Sequence, residues 1–104
     1  MARLTVSEEA DRDLDTLYRL GVEMFGISQA DRYTDGLLGA LDLIADFPAA
    51  ARLRTELKPP IRAYPYKSHV ILYDIDLTGD VLVVRIRHAH EDWAAATSDD
   101  GDRP

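Results

Sequence analysis

The chain has 104 residues and a formal net charge of −7 at pH 7, a size typical of one domain with a single core. It contains no cysteine, which excludes disulfide bonds and thiolate chemistry, and no apolar run approaches the roughly 20 residues that a membrane span needs. We expect a cytoplasmic protein without a signal peptide, folded as one domain over residues 1–97, with a disordered acidic tail at residues 98–104.

Charge is unevenly distributed along the chain. Residues 1–50 carry ten acidic and four basic side chains, a net charge of −6, whereas residues 51–88 carry four acidic and seven basic ones, a net charge of +3. Because neutralisation of phosphates dominates the affinity of proteins for nucleic acids, the negative total disfavours direct binding of DNA or RNA. A protein is the expected partner.

The first half of the chain predicts a strand followed by two helices. Residues 3–6 alternate polar and apolar side chains, as a short strand does. Ser7 can cap a helix that Gly26 ends, since glycine readily adopts the left-handed backbone found at helix C-termini. Small and apolar residues mark one face of this helix at Ala10, Leu14, Leu17, Tyr18, Gly21 and Phe25.

A second helix is predicted from Ser28, which resembles a capping box with Asp31, to the residues before Pro48. Because the link between the helices is short, they should form an antiparallel hairpin. Gly36 and Gly39 either admit the close approach of another backbone or only lower the stability of the helix. The apolar face of this helix comprises Ala30, Tyr33, Leu37, Ala40, Leu41 and Ile44.

In the second half of the chain the apolar period becomes two. Residues 49–60 end in Pro-Pro and predict a connecting loop with room for one helical turn. Residues 61–64, 69–75 and 81–88 predict strands, and links this short join only antiparallel neighbours. The expected fold is α+β in the order β-α-α-β-β-β, with the helix hairpin packed on a small antiparallel meander.

The last predicted strand is largely apolar on both faces. One face carries Val81, Val83 and Arg85, and the other carries Leu82, Val84 and Ile86. The helix hairpin can cover only one face of the sheet, and a domain this small has no further element for the second. A partner protein is therefore expected to cover it.

Basic residues on the strands fit two different functions. Cleavage of RNA needs a base, an acid and cations that stabilise the phosphate. Binding of an acidic protein needs only a surface with positive charge. The negative total charge of the chain favours binding of a protein over cleavage of RNA. The residues in question are Arg62, Lys67, Arg85, Arg87 and His88, with Tyr73 on a neighbouring strand.

The histidines give only a weak indication of a metal site. His88, His90 and Glu91 lie close together in the sequence, but a zinc site needs three or four ligands in a defined geometry. The remaining histidine, His69, begins a different strand. We expect neither a metal nor another cofactor.

Three motifs are specific in combination. They are Gly-x-x-Gln-Ala-x-x-Tyr at residues 26–33, Tyr-Pro-x-x-Ser-His-Val-Ile-x-Tyr at residues 64–73 and Val-Arg-Ile-x-His at residues 84–88. With the stretches around them they span nearly the whole chain, and in this combination the chain resembles the ParE toxins of the RelE/ParE superfamily. The superfamily fold has the element order expected above.

The resemblance implies a bacterial toxin that inhibits DNA gyrase and replication. It also implies a hetero-oligomer with a ParD-like antitoxin, which lays a helical segment along the toxin surface. ParE-like toxins have no established hydrolytic activity, so the chain is not expected to be an enzyme. One departure is the acidic run Ala89-His90-Glu91-Asp92, where such toxins often have a glycine or another basic residue.

Two sets of site residues follow as hypotheses from the resemblance and the periodicity. The target-binding set is Arg62, Lys67, Arg85, Arg87 and His88. The antitoxin-binding set is Leu14, Tyr18, Tyr33, Leu37, Val81 and Val83. The alternatives are a ribosome-dependent endoribonuclease of the RelE type, with Arg85, Arg87 or His88 as catalytic residues, and an inactive relative that only binds an antitoxin.

Overall fold

The computed structural model describes residues 3–90. Its elements follow one another as β1 (Leu4–Val6), α1 (Glu8–Phe25), α2 (Ile27–Asp46), a 3₁₀ turn (Pro48–Ala50), β2 (Leu53–Arg54), β3 (Ile61–Tyr66), β4 (His69–Ile75) and β5 (Val81–His88). The predictions for residues 91–97 and for the acidic tail at residues 98–104 lie outside the described residues.

The two helices form the predicted hairpin. The Ser7 side chain accepts a hydrogen bond from the backbone N–H of Ala10 at 3.0 Å, so the predicted N-cap of α1 is confirmed. The predicted capping box of Ser28 and Asp31 is wrong, because α2 already begins at Ile27. Gly26 has a φ of 90°, a conformation that side-chain-bearing residues rarely adopt, and it reverses the chain within one residue.

The five strands form one sheet in the order β1-β5-β4-β3-β2. Strands β3, β4 and β5 are the predicted antiparallel meander, and β1 lies parallel to β5 at the edge of the sheet. Strand β2 pairs only two residues with β3, too few for an alternating pattern. It falls in the segment predicted as a loop.

A β-bulge in β5 reverses its alternation. Leu72 pairs with Arg85 and Tyr73 pairs with Val83, so Val84 is the extra residue. Ile86 therefore joins the core on the helix side with Val81 and Val83. The predicted groupings of Ile86 with Leu82 and of Arg85 with Val81 are wrong for this reason.

The sheet carries apolar clusters on both faces. The main core lies between the helices and the sheet, with Leu37, Ile44, Ile71 and Tyr73 fully buried. On the opposite face a smaller cluster of Ile61, Val70 and Leu72 is covered in part by Leu57, Ala63 and Val84. Leu57 lies between β2 and β3, so the chain itself supplies cover where only a partner protein was expected.

Gly36 makes room for a side chain of the sheet. A Cβ atom at this position would overlap the hydroxyl of Tyr66 and would lie 3.0 Å from the ring carbon Cζ that carries it. A Cβ atom at Gly39, about one turn further along α2, would have no atom within 4 Å beyond its chain neighbours and the backbone of its own helix. Of the two glycines, only Gly36 is closely approached by another part of the chain, and the approaching group is the side chain of Tyr66.

We expect Gly36→Ala to lower the free energy of unfolding by about 1–3 kcal/mol, since overpacking displaces the Tyr66 ring. Tyr66→Phe removes the overlapping oxygen, so the double variant should recover about 1 kcal/mol or more of that loss. Gly39→Ala is the matched control and should stabilise the helix by up to about 1 kcal/mol. Denaturant unfolding of the four variants measures these values, and equal losses for Gly36→Ala with and without Tyr66→Phe would contradict the account.

Candidate functional site

A cleft of about 370 Å³ lies where the turn between the helices meets the turn between β3 and β4. One wall is formed by residues of α1 at helical spacing, Leu17, Leu20, Gly21 and Met24, together with Phe25. The other wall and the floor are formed by Gln29, Ala30, Tyr33 and Thr34 of α2 and by Ser68, His69 and His88 of the sheet.

The mouth of this cleft is an exposed apolar patch. Leu20 is 50% exposed, Met24 69% and Phe25 59%, and the neighbouring Ile27 is exposed as well. Large apolar side chains grouped on the surface of a soluble domain mark interaction sites. The patch makes this end of the molecule a candidate surface for binding another protein.

The polar side of the cleft is organised by the hydroxyl of Tyr33. This oxygen lies 2.8 Å from Nδ1 of His69 and accepts a hydrogen bond from the backbone N–H of Ser68 at 3.1 Å. The ring of His69 lies 5.2 Å from that of His88, centroid to centroid. Burial raises the pKa of Tyr33 and outweighs the Ser68 hydrogen bond, which acts in the opposite direction, so Tyr33 is a neutral hydroxyl at physiological pH.

The carboxylate of Asp13 joins α1 to the part of β5 that β1 does not reach. It accepts hydrogen bonds from Nε and Nη2 of Arg85 at 2.8 and 3.0 Å and from the backbone N–H of Ile86 at 2.9 Å. Nη1 of Arg87 lies 3.9 Å away. Burial alone would raise the pKa of Asp13, but the hydrogen bonds from Arg85 and Ile86 and the charges of both arginines lower it below its usual range.

We expect Asp13→Ala to lower the free energy of unfolding by roughly 2 kcal/mol at neutral pH, because charge-assisted hydrogen bonds are lost and Arg85 stays half-buried. A carboxylate with a lowered pKa in the folded state stabilises it above its unfolded pKa of about 4 and ceases to do so as the pH falls through the lowered value. The difference between the wild-type and variant proteins should therefore shrink below about pH 4.

Asp15→Ala is the matched control, since Asp15 lies on the same helix and pairs with Arg19 at 3.5 Å on the surface. We expect it to change the unfolding free energy by no more than about 0.5 kcal/mol. Urea denaturation at several pH values measures both variants. Equal losses of unfolding free energy in Asp13→Ala and Asp15→Ala would show that the contact of Asp13 with Arg85 and Ile86 stabilises the fold no more than a surface ion pair does.

The five predicted target-binding residues do not form one surface. Nη1 of Arg62 donates to the carbonyl oxygen of Ala51 at 2.6 Å, on the sheet face that carries the helices. Arg85 and Arg87 extend from the opposite face of β5 to Asp13. Only Lys67 and His88 lie at the cleft, His88 in its lining and Lys67 in the adjoining turn.

The predicted antitoxin-binding residues are also divided. Tyr33 lines the cleft, Leu14 is half-buried against the core, and the hydroxyl of half-buried Tyr18 donates to Asp31 at 2.8 Å, joining the helices. Three members are core residues less than 2% exposed and offer no surface to a partner, namely Leu37, Val81 and Val83. Val81 and Val83 were predicted to contact a partner because one face of their strand was expected to lack cover, but the helices cover them.

The apolar wall of the cleft was predicted only in part. The apolar face predicted for the first helix includes Leu17, Gly21 and Phe25 but not Leu20 and Met24, which lie beside it on the helix. Two adjacent stripes on one amphipathic helix indicate an apolar face wider than a single core contact needs. The width of the apolar face of the first helix is therefore the feature of the sequence that indicates an additional contact surface.

The residues proposed for RNA cleavage are not assembled into a catalytic group. The hydroxyl of Tyr73 donates to the carbonyl oxygen of Pro48 at 2.7 Å and accepts from the N–H of Ala51 at 3.2 Å, inside the core. Arg85 is hydrogen-bonded to Asp13. Within residues 3–90 no group of three or more potential ligands could hold a metal ion, and no helix there is long and apolar enough to cross a membrane.

The chain is a small α+β domain with an apolar cleft at one end, and Arg62 and Arg85 are hydrogen-bonded within the fold. Residues 4–93 match the family described as ParE toxin of the type II toxin-antitoxin system parDE. The chain belongs to this family, and the resemblance found in its sequence motifs is confirmed.

Several known proteins are similar to the chain over most of its length. Toxin ParE1 of Mycobacterium tuberculosis is 29% identical over 91 residues, which cover 88% of this chain and 93% of that protein. Toxin ParE3 of Caulobacter vibrioides is 26% identical over 95 residues, 91% of this chain and 94% of that protein. A chain of the chromosomal ParDE system from P. aeruginosa has the same fold, with a TM-score of 0.74 at 17% identity, over 85% of this chain and 96% of that one.

Proposed function

We propose that this ParE-family toxin inhibits DNA gyrase by direct protein contact and that a ParD-like antitoxin neutralises it by occupying the cleft. The observation that carries the proposal is the exposed apolar wall of Leu20, Met24 and Phe25 beside the cleft. No element among residues 3–90 covers these side chains, and a stable partner would remove their apolar surface from water.

The shape of the cleft favours a helical segment of the antitoxin. A groove between a helix wall and the end of a sheet accepts an amphipathic helix whose apolar side chains recur at i, i+3 and i+4. The backbone N–H of Ser68 already donates to the hydroxyl of Tyr33, so an apolar helix can cover this N–H without leaving it unpaired. The hetero-oligomer expected from the sequence would be built in this way.

A gyrase-directed mechanism is favoured over RNA cleavage by charge and by the placement of the cations. The chain has a net charge of −7, which opposes binding to RNA phosphates. Arg85 and Arg62 make internal hydrogen bonds to Asp13 and to the carbonyl oxygen of Ala51. Contact with a protein requires no catalytic group and needs only an accessible surface of suitable shape and charge.

The proposal is tested with purified toxin in a DNA gyrase supercoiling assay on relaxed plasmid, beside mapping of messenger 5′ ends in cells after induction. We expect supercoiling to stop while messages stay intact, and a ParD-like antitoxin to restore supercoiling. Normal supercoiling with messages cut at ribosomes would assign the fold to a RelE-type nuclease. Neither effect, with no arrest of growth, would identify an inactive relative.

The cleft assignment predicts a specific loss of antitoxin affinity. We expect Met24→Asp to weaken binding of a neutralising ParD-like antitoxin at least about tenfold, because the new charge would be buried without a partner at the centre of the interface. The side chain of Met24 is exposed in the free protein, so stability should change little. Titration calorimetry measures the affinity.

Leu77→Asp is the matched control for this variant. Leu77 is fully exposed in the turn between β4 and β5, at the end of the sheet opposite to the cleft. We expect this change to leave the antitoxin affinity within about twofold of the wild-type value, since surface substitutions outside an interface have little effect. Equal affinities of the two variants would move the antitoxin site away from the cleft.

A further inference from the structure

The turn between β3 and β4 has an unfavourable residue at its tip. Lys67 and Ser68 form a two-residue loop between Tyr66 and His69, and Lys67 has a φ of 50°. Among residues 3–90 no other non-glycine residue has a positive φ. Glycine is usual at such a position because it has no Cβ atom, which on this left-handed backbone lies close to the following carbonyl oxygen, and asparagine is tolerated because its side chain can form a local hydrogen bond.

The surrounding structure fixes this turn from two sides. The backbone N–H of Ser68 donates to the hydroxyl of Tyr33 on α2 at 3.1 Å. The backbone N–H of Ala89, just after β5, donates to the carbonyl oxygen of Ser68 at 2.8 Å. A sparsely populated backbone conformation persists only where neighbours determine it in this way, and such positions are concentrated at functional sites.

The ammonium group of Lys67 differs from the other predicted cations in its surroundings. It lies 5.6 Å from the centroid of the Tyr66 ring, and the residue is exposed. The ion pairs within residues 3–90 involve Arg12, Arg19, Arg52, Arg54, Arg85 and Arg87, and none of them involves Lys67. The turn therefore presents a positive charge on a fixed backbone at the rim of the apolar cleft.

We propose that Lys67 is the principal cationic contact between the toxin and a carboxylate group on its target protein. The inference rests on the proposed function and specifies the chemistry of the target surface. A carboxylate is favoured over a phosphate backbone, because binding to nucleic acid uses several cations together and the chain is acidic overall. The charge that this contact requires accounts for a lysine at a position whose backbone conformation suits glycine.

Lys67→Gly separates this role from a structural one, since glycine adopts the observed φ without steric conflict. We expect the melting temperature of the variant to equal or exceed that of the wild-type protein. We also expect the concentration that half-inhibits gyrase supercoiling to rise roughly tenfold, as loss of a charged interface contact does. Lys67→Arg keeps the charge and should retain most of the inhibition.

Ionic strength provides a second readout that a structural role would not affect. Inhibition by the wild-type protein should weaken as salt rises, because an exposed ion pair is screened, and inhibition by Lys67→Gly should depend less on salt. Full inhibition by Lys67→Gly, with an active wild-type protein, would overturn the inference and leave the gyrase proposal standing. If the wild-type protein does not inhibit gyrase, the gyrase proposal fails. In that case growth arrest measures toxicity, and equal arrest by Lys67→Gly and by the wild-type protein would overturn the inference about Lys67.

Discussion

The contact of Asp13 with β5 sets the position of the first helix and, through it, the shape of the cleft. Strand β1 covers only residues 81–83 of β5, so the rest of that sheet edge would otherwise expose unpaired backbone groups. Asp13 accepts the N–H of Ile86 and holds Arg85. The following turns of α1 then carry Leu17, Leu20 and Met24 past His88, where they form the apolar wall. The same contact engages arginines that the sequence suggested for the target.

The internal contacts of the fold determine which side chains remain accessible to a partner protein. Arg62 and Arg85 make hydrogen bonds within the fold, and Tyr73 joins the 3₁₀ turn to the sheet. The cleft end of the molecule combines exposed apolar side chains with the charge of Lys67. Such a surface is suited to binding a protein, and its composition agrees with membership of a toxin family whose fold is found in a ParDE system.

Local patterns in the sequence predicted the helices and the meander because periodicity and caps act over a few residues. Contacts between distant positions were not predictable in this way. Asp13 and Arg85 are 72 positions apart, and the bulge at Val84 shifts every later side chain of β5 to the other face without a local signal. Tyr33 lies on the apolar face predicted for the second helix and lines the cleft, whereas Leu20 and Met24 lie beside the apolar face predicted for the first helix and were not part of it.

Amide hydrogen exchange of the toxin, alone and with a neutralising ParD-like antitoxin, tests the central claim that the cleft is the protein-binding site. We expect binding of the antitoxin to slow exchange in the C-terminal half of α1, in the first turns of α2 and in the turn at Lys67 and Ser68. Exchange in the distant turn between β4 and β5 should not change. Protection confined to that distant turn or to the sheet face around Leu72, with an unprotected cleft, would contradict the claim that the cleft binds the antitoxin.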